Sequence, residues 1–225
     1  MEINKEISIL EILKESLKSL KNKEILIATM TFVLIGTAIS IPNNPFYEFT
    51  IKKLILYIPG QFILLIGEMI IIKIMDKKYK KEEVNLKNII NELIPRSLSA
   101  FGLYLLVTTI IMVGGAALII PGIIFMVYAA FYLQVFTLEN CGIEATIENC
   151  VSFSKGFRVF VFKLLIILTI IGLINDEGLV RLLDHFFNSS ISTVVNIILG
   201  TLIFSFTTIG ITDLYLKIKE IKTIE

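Results

Sequence analysis

One stretch decides the fold: residues 98–138 read LSAFGLYLLVTTIIMVGGAALIIPGIIFMVYAAFYLQVFTL. These 41 residues contain no Asp, Glu, Lys or Arg. A helix needs about 20 apolar residues to cross a bilayer, so the stretch is too long for one span and long enough for two. Pro121 and Gly122 interrupt its middle, and such a pair is typical of a turn. The stretch therefore predicts spans at residues 98–113 and 122–138, joined by a tight hairpin at Pro121 and Gly122.

The rest of the chain has the same character. Of the 225 residues, 55% are hydrophobic and 18% are charged, and the mean hydropathy is +0.82. Soluble domains carry about a quarter charged residues, so the composition excludes a soluble domain, a disordered chain and a disulfide-stapled module. Further apolar blocks of spanning length predict an all-α polytopic protein that forms one integral membrane domain over residues 1–225. The six predicted spans are residues 25–41, 54–75, 98–113, 122–138, 157–174 and 191–211.

Lysine and arginine are distributed unevenly between the two sides of the predicted membrane domain. Sixteen of the 21 lie before the first span, after the second, after the fourth or after the sixth, if Arg158 at the start of the fifth span is included, and three lie in the opposite loops. Because cytoplasmic segments carry the excess of positive charge, both termini are expected in the cytoplasm. An even number of spans also requires both termini on one side. The expected location is the cell membrane, with multi-pass topology.

A second pattern precedes each pair of spans. In the first segment, apolar residues recur at spacings of three and four: Ile3, Ile7, Leu10, Leu13, Leu17 and Leu20. Residues 86–94 repeat the pattern, and residues 143–154 repeat it more weakly. Such segments are amphipathic, too polar to span, and typical of helices that lie along a membrane interface. The sequence therefore predicts three hairpins, each preceded by a cytoplasmic interfacial amphipathic helix.

The most distinctive motif runs from the Pro-Gly pair to the fifth span. An Ile-Pro-Gly hairpin ends at Gly122, the next span ends near Glu139 and Gly142, and an amphipathic segment leads to Lys155-Gly156-Phe157. This order resembles the YciC-like family of prokaryotic multi-pass membrane proteins and the membrane domain fused to some glycerophosphodiester phosphodiesterases. The resemblance implies a six-span fold of prokaryotic origin. It implies no activity, because these 225 residues include no soluble phosphodiesterase domain.

Enzymatic chemistry finds little support in the sequence. The single histidine, His185, stands beside Asp184 in a predicted external loop, and no metal-ligand cluster, P-loop or nucleophile elbow is present. With 21 basic and 20 acidic residues, the chain also has no net field to attract nucleic acid. We therefore expect no enzyme, no cofactor, no metal and no nucleic-acid partner.

One carboxyl group lies inside a predicted span. Glu68 interrupts an apolar run, where an ionisable residue costs about 2.5–3.5 kcal/mol and normally faces the protein interior with a partner. At 1.5 Å per residue, Glu68 lies about 10 Å from the cytoplasmic end of the second span, and Lys163 lies about 9 Å from the same end of the fifth. The common depth predicts a structural ion pair between Glu68 and Lys163 that fixes helix register. The alternative is a proton or cation relay through Glu68.

The sixth span carries more polar residues than the others. Asn196, Thr207, Thr208 and Asp213 are candidates to line a polar path. Small and hydroxylated side chains are also the residues with which membrane helices pack, so packing is the other interpretation.

Two functional hypotheses follow from these features. The favoured one is a non-enzymatic membrane scaffold or lipid-interacting accessory protein, because the spans are poor in polar residues and three amphipathic helices are predicted. The alternative is a small transporter or channel that uses Glu68 and the polar face of the sixth span. Membrane lipids are the expected partners, and a homo-oligomer or a membrane-protein partner is compatible with the sequence.

Overall fold

The computed structural model describes residues 7–44, 50–117, 119–174, 185 and 189–224. Helices make up nearly all of these residues, and no β-strand occurs among them. In the described part of the chain the order is α1 (Ile9–Leu20), α2 (Lys23–Ser40), α3 (Ile51–Tyr79), α4 (Leu86–Ala117), α5 (Ile119–Ala129), α6 (Tyr132–Glu139), α7 (Ile143–Ser154), α8 (Arg158–Leu173) and α9 (Ser189–Ile224).

The predicted all-α, multi-pass architecture is confirmed. Within the described residues, α2, α3, α4, α9 and the segment Ile120–Glu139 are each long and apolar enough to cross a membrane. The predicted fifth span is α8, whose 16 residues pass that test only together with α7, at a bend of 102°. α1 and α7 occupy two of the predicted amphipathic segments. Their position on a membrane surface stays a prediction.

Several helices continue beyond the predicted spans. α3 extends to Tyr79 and α9 extends to Ile224, because a lysine-rich sequence can remain helical after the apolar block has ended. The predicted second amphipathic helix, residues 86–94, is not a separate element. It forms the first turns of α4, and Pro95 lies inside that helix. Proline is tolerated within membrane helices when neighbouring groups satisfy the freed backbone.

The hairpin between α4 and α5 turns at a different place from the one predicted. α4 continues to Ala117 and α5 begins at Ile119, so Pro121 and Gly122 belong to α5 and not to the turn. Pro121 lies in the first turn of α5, where a helix needs no N–H donor. Gly122 packs against the backbone of α4: a Cβ atom there would lie 2.7 Å from the nitrogen of Gly115. Pro121 and Gly122 therefore belong to the contact between α4 and α5 and not to the turn that joins the two helices.

α2 and α3 form a hairpin with close backbone contact. A Cβ atom on Gly36 would lie 2.7 Å from Cγ of Leu64 and 2.9 Å from the carbonyl oxygen of Gly60. Membrane helices use small residues in this way to bring their backbones together. The middle of α2, Thr29–Val33, is a π-helical turn, a feature that often accompanies functional sites.

α9 packs against α1, α2, α3 and α8. Its half beyond Phe206 lies in an apolar cluster in which Tyr215, Ile12 and Phe131 are fully buried. A second cluster surrounds α3 and includes the fully buried Ile70, Ile71 and Ile72. Burial of this extent fixes the position of α9 among its neighbours.

α1 packs on protein as well as presenting an apolar surface. Ile12 and Ser16 are fully buried against α9, close to Gly210. On the other side of α1, Leu10 and Leu17 are 69% and 57% exposed. The apolar pattern of α1 therefore serves two faces, and one of them is covered by α9.

Candidate functional site

Four hydroxyl side chains form one stripe along the buried face of α9. They are spaced by four, three and four residues, which places them on one side of an α-helix. All four are at least 97% buried: Thr201, Ser205, Thr208 and Thr212. Thr201 and Thr212 also donate hydrogen bonds of 2.7 Å to the carbonyl oxygens of Ile197 and Thr208. We call these four residues the hydroxyl stripe.

The hydroxyl stripe joins three helices to α9. Ser205 accepts a hydrogen bond of 3.1 Å from Thr29 in the π-helical turn of α2. Thr212 accepts one of 3.3 Å from the amide of Gln134 in α6. Between these two contacts, Thr208 Oγ1 lies 3.1 Å from Oε1 of Glu68 in α3. The hydroxyl stripe thus makes a polar contact with each of α2, α3 and α6, in the way that hydroxylated side chains join packed membrane helices.

The contacts of Thr208 limit the hydrogen bonds that Glu68 can make in its protonated and ionised forms. Thr208 Oγ1 lies 3.1 Å from the carboxyl of Glu68 and 3.1 Å from the carbonyl oxygen of Phe204. A hydroxyl group has a single proton and cannot donate to both oxygens at once. A protonated Glu68 satisfies both contacts, because it donates to Thr208 while Thr208 donates to Phe204. An ionised Glu68 accepts the hydrogen bond of the Thr208 hydroxyl, so that this hydroxyl no longer donates to the carbonyl oxygen of Phe204.

The predicted ion pair between Glu68 and Lys163 is corrected by the structure. Lys163 is exposed on α8, which packs against α5 and α9, whereas the carboxyl of Glu68 meets Thr208. Within the described residues, no lysine or arginine forms an ion pair with Glu68. Lys73, one turn further along α3, pairs instead with Glu92 at 2.6 Å. The two residues share a depth but do not face each other.

The predicted polar path along the sixth span is also corrected. At about 100° per residue, Asn196 and Thr207 share one face of α9, and both are only partly buried. Thr208 lies about 100° around the helix, and Asp213 lies about 140° beyond Thr208. Only Thr208 belongs to the hydroxyl stripe, so the four residues do not line one path.

A cavity of about 190 Å³ lies on one side of Glu68, at the end of the bundle where α2 ends and α3 begins. We call it the distal cavity. It is lined by residues of α2, α3 and α9 and by the turn that follows α2: Thr37, Ser40, Ile41, Asn44, Tyr57, Gln61, Leu64, Gly200 and Phe204. Ser40 is 96% buried, and within the described residues its Oγ has no hydrogen-bond partner. Gln61 accepts a hydrogen bond of 3.1 Å from Tyr104.

A second cavity, of about 410 Å³, lies on the other side of Glu68 at the lysine-rich end of the bundle, where α3 and α9 end. We call it the basic cavity. It is lined by residues of α1, α2, α3 and α9 and by the short turn between α1 and α2: Glu15, Lys18, Ser19, Lys21, Asn22, Ile25, Met75, Lys78, Tyr79 and Asp213. Among these, Asp213 pairs with Lys217 at 3.2 Å, and Lys217 also contacts Glu15 at 2.9 Å.

Glu68 lies midway between the two cavities on helices that line both. Gln61 in the distal cavity and Met75 in the basic cavity are each seven residues from Glu68, or about 10 Å along α3. Leu64 and Phe204 line the distal cavity, and Ile25 and Met75 line the basic cavity. The arrangement brings one carboxyl group to the centre of a contact shared by α2, α3 and α9.

Sequence reasoning identified Glu68 and Thr208 but missed several residues that act with them. Thr29, Ser40 and Thr212 carry no feature that distinguishes them from other small residues in apolar spans. The spacing of the hydroxyl stripe is a signal that could have been read, because a repeat of three and four selects one helix face. No sequence signal shows that Thr29 in α2 faces that stripe.

Comparisons with protein-family models, with curated protein sequences and with solved structures find no match to this chain. The class of protein is therefore defined by the fold alone: the part of the chain that the structure describes is helical and contains five to six helices long and apolar enough to cross a membrane. The resemblance to the YciC-like family stays a prediction. His185 lies among the described residues, and its sequence neighbour Asp184 lies outside them.

Proposed function

We propose that the protein is a small membrane transporter in which Glu68 binds and releases a proton between the distal and basic cavities. The single observation that carries this proposal is the position of Glu68. Its carboxyl group lies between two cavities that both have lining residues from α2, α3 and α9, and within the described residues no basic side chain forms an ion pair with it. A carboxyl that serves only to fix helix register would be expected to have such a partner.

Within a membrane, the ionised form of Glu68 is destabilised relative to its neutral form. An ionised carboxyl at this depth costs about 2.5–3.5 kcal/mol on insertion scales. Proton binding removes that cost, and Thr208 can accept from the neutral form or donate to the ionised form. Glu68 can therefore gain or lose a proton and keep Thr208 as its hydrogen-bond partner in both states. Access from one cavity at a time would then couple proton movement to the motion of α2, α3 and α9.

The volume of the distal cavity indicates which molecules can enter it. Its volume of about 190 Å³ corresponds to about six water molecules at 30 Å³ each. Its polar groups include the unpartnered Oγ of Ser40 and the side chains of Thr37, Tyr57 and Gln61. We infer that water or a small polar solute enters here.

The proposal predicts that Glu68→Gln abolishes proton flux and keeps the fold. Glutamine retains the size of the side chain and can still bond to Thr208, but it cannot carry a proton. The full chain in liposomes, with a pH-sensitive dye inside, is to be measured under an imposed pH gradient. The flux of the Glu68→Gln variant is expected to equal that of liposomes without protein.

The matched control is Glu148→Gln, which removes an exposed carboxyl from α7 and is expected to keep the wild-type flux. Thermal unfolding of both variants reports whether the fold is intact. If Glu68→Gln keeps its flux, or loses stability together with its flux, the side chain is structural and the proposed function is wrong.

We place the basic end of the bundle in the cytoplasm of the cell, because the excess of lysine lies there. A tag at the carboxyl terminus is expected to resist an impermeant labelling reagent in intact cells. A tag inserted between Asn44 and Thr50 is expected to react. Labelling of the terminal tag before the cells are broken would reverse this orientation.

A lipid-interacting accessory role is a second candidate and is compatible with the first. The observation that favours it is the exposed apolar face of α1, which carries Leu10 and Leu17 beside the exposed Lys14 and Lys18. Helices of this kind bind membranes through apolar burial and attraction to anionic lipids. Neither candidate requires enzymatic activity.

A further inference from the structure

An apolar groove of about 320 Å³ lies between α5 and α8, away from Glu68. Its lining is Ile123, Ile124, Val127, Tyr128, Arg158, Val159 and Phe162. We call it the α5–α8 groove. Val159 is 65% exposed and Ile124 is 47% exposed, so the groove is open on the outer surface of the bundle.

Arg158 is the single charged residue of this lining. Its guanidinium carbon lies 4.6 Å from the centre of the Tyr128 ring, and its side chain is exposed. In the described part of the chain, no carboxylate pairs with it. A guanidinium stacked on an aromatic face keeps its N–H donors at the rim, where they can bind a phosphate group in bidentate fashion.

The bend between α7 and α8 places Arg158 at one end of the groove. The two helices meet at 102°, so α7 lies along the membrane surface if α8 crosses the membrane. Arg158 is the first residue of α8 and is therefore at the level of that surface. Phe162 is one turn, or about 6 Å, further along α8. The groove thus runs from a cation at the surface into the apolar layer.

We propose that the α5–α8 groove binds an anionic phospholipid, with the phosphate on Arg158 and one acyl chain against Phe162 and Ile123. Charge complementarity selects this ligand over a neutral lipid. The polarity along the groove also matches a phospholipid. In the groove, Arg158 at the surface is followed by apolar walls, and in a phospholipid the phosphate is followed by the acyl chains. The site is independent of Glu68, so the failure of either proposal leaves the other in place.

The test compares the substitution of Arg158 with the substitution of Lys155, two basic residues that lie on either side of Gly156 in the sequence. The full chain is placed in nanodiscs of phosphatidylcholine with a minor share of phosphatidylglycerol, and retained lipids are measured by native mass spectrometry. Arg158→Gln is expected to weaken phosphatidylglycerol binding about fivefold, the effect of one cation near a membrane surface. Lys155→Gln is the matched control, since Lys155 is exposed but does not line the groove, and it is expected to retain the wild-type amount.

A second variant tests the apolar part of the groove and does not depend on the folding of Arg158→Gln. Val159→Trp places a large ring on an exposed wall position and is expected to displace the retained lipid. Equal losses in Arg158→Gln and Lys155→Gln would show general surface attraction and overturn the proposal. So would equal retention of both lipids by the wild-type chain, competition by inorganic phosphate alone, or a dimer whose groove carries no lipid.

Discussion

A Gly36→Val variant is expected to lose about 3 kcal/mol or more of unfolding free energy, at the upper end of the cost of overpacking. The first added carbon would lie 2.7 Å from Leu64 Cγ, 2.8 Å from the Leu64 nitrogen and 2.9 Å from the Gly60 carbonyl oxygen. Two of these three atoms belong to the backbone of α3 and cannot be moved by a change of side-chain rotamer. α2 and α3 must therefore separate along their length.

Gly102→Val is the matched control, because it makes the same change in another membrane-spanning helix. A Cβ atom on Gly102 meets nothing within 4 Å, so the variant is expected to unfold as the wild-type protein does. Both are to be measured by titration of the purified protein in mixed micelles with a denaturing detergent. Equal stability of the two variants would mean that α2 and α3 are not in backbone contact.

A Lys217→Met variant is expected to release α1 from α9. The Lys217 ammonium lies 2.9 Å from Glu15, 3.5 Å from Glu11 and 3.2 Å from Asp213. Asp213 is only 5% exposed, so loss of Lys217 leaves a buried carboxylate without its partner, which costs about 3–5 kcal/mol in comparable cases. The remaining carboxylates also repel one another across the contact between α1 and α9.

Amide hydrogen exchange in residues 9–20 is the measurement. Faster exchange is expected throughout α1 in Lys217→Met, and slow exchange is expected in Lys14→Met, which removes an exposed lysine from α1 itself. Adding Asp213→Asn to Lys217→Met is expected to restore much of the protection. Unchanged exchange in the single variant would show that the buried Ile12 alone holds α1 in place.

Hydropathy predicts the membrane helices of this chain well and their ends less well. An apolar block of about 20 residues has few alternatives to a membrane helix, and each predicted span coincides with helical structure. The ends of α3 and α9 lie beyond the apolar blocks, where a lysine-rich segment remains helical because it packs on α1 and on other helices. α4 likewise continues through Pro95, an exposed residue inside that helix at which the sequence alone would place a helix end.

The contacts of Glu68 show where sequence reasoning ends. Counting residues from the end of a span gives the depth of a side chain but not the direction in which it points around the bundle. Glu68 and Lys163 share a depth, yet Glu68 faces α9 and Lys163 is exposed on α8. The spacing of the hydroxyl stripe does give a direction on α9. Which helix lies opposite that stripe depends on packing, which one sequence does not contain.

The π-helical turn of α2 changes the direction around the helix axis in which the side chains after it point. In a regular α-helix, eight residues turn the chain by about 800°, so Thr29 and Thr37 would point about 80° apart. A π-turn holds one more residue than an α-turn, and both side chains face α9, at Ser205 and Gly200. The π-turn thus keeps the two halves of α2 in phase with α9. Deleting one residue within Thr29–Val33 would convert the π-turn into a regular α-turn. The seven remaining steps turn the helix by about 700°, so the two threonines would stay within about 20° of each other and both halves of α2 would still face α9.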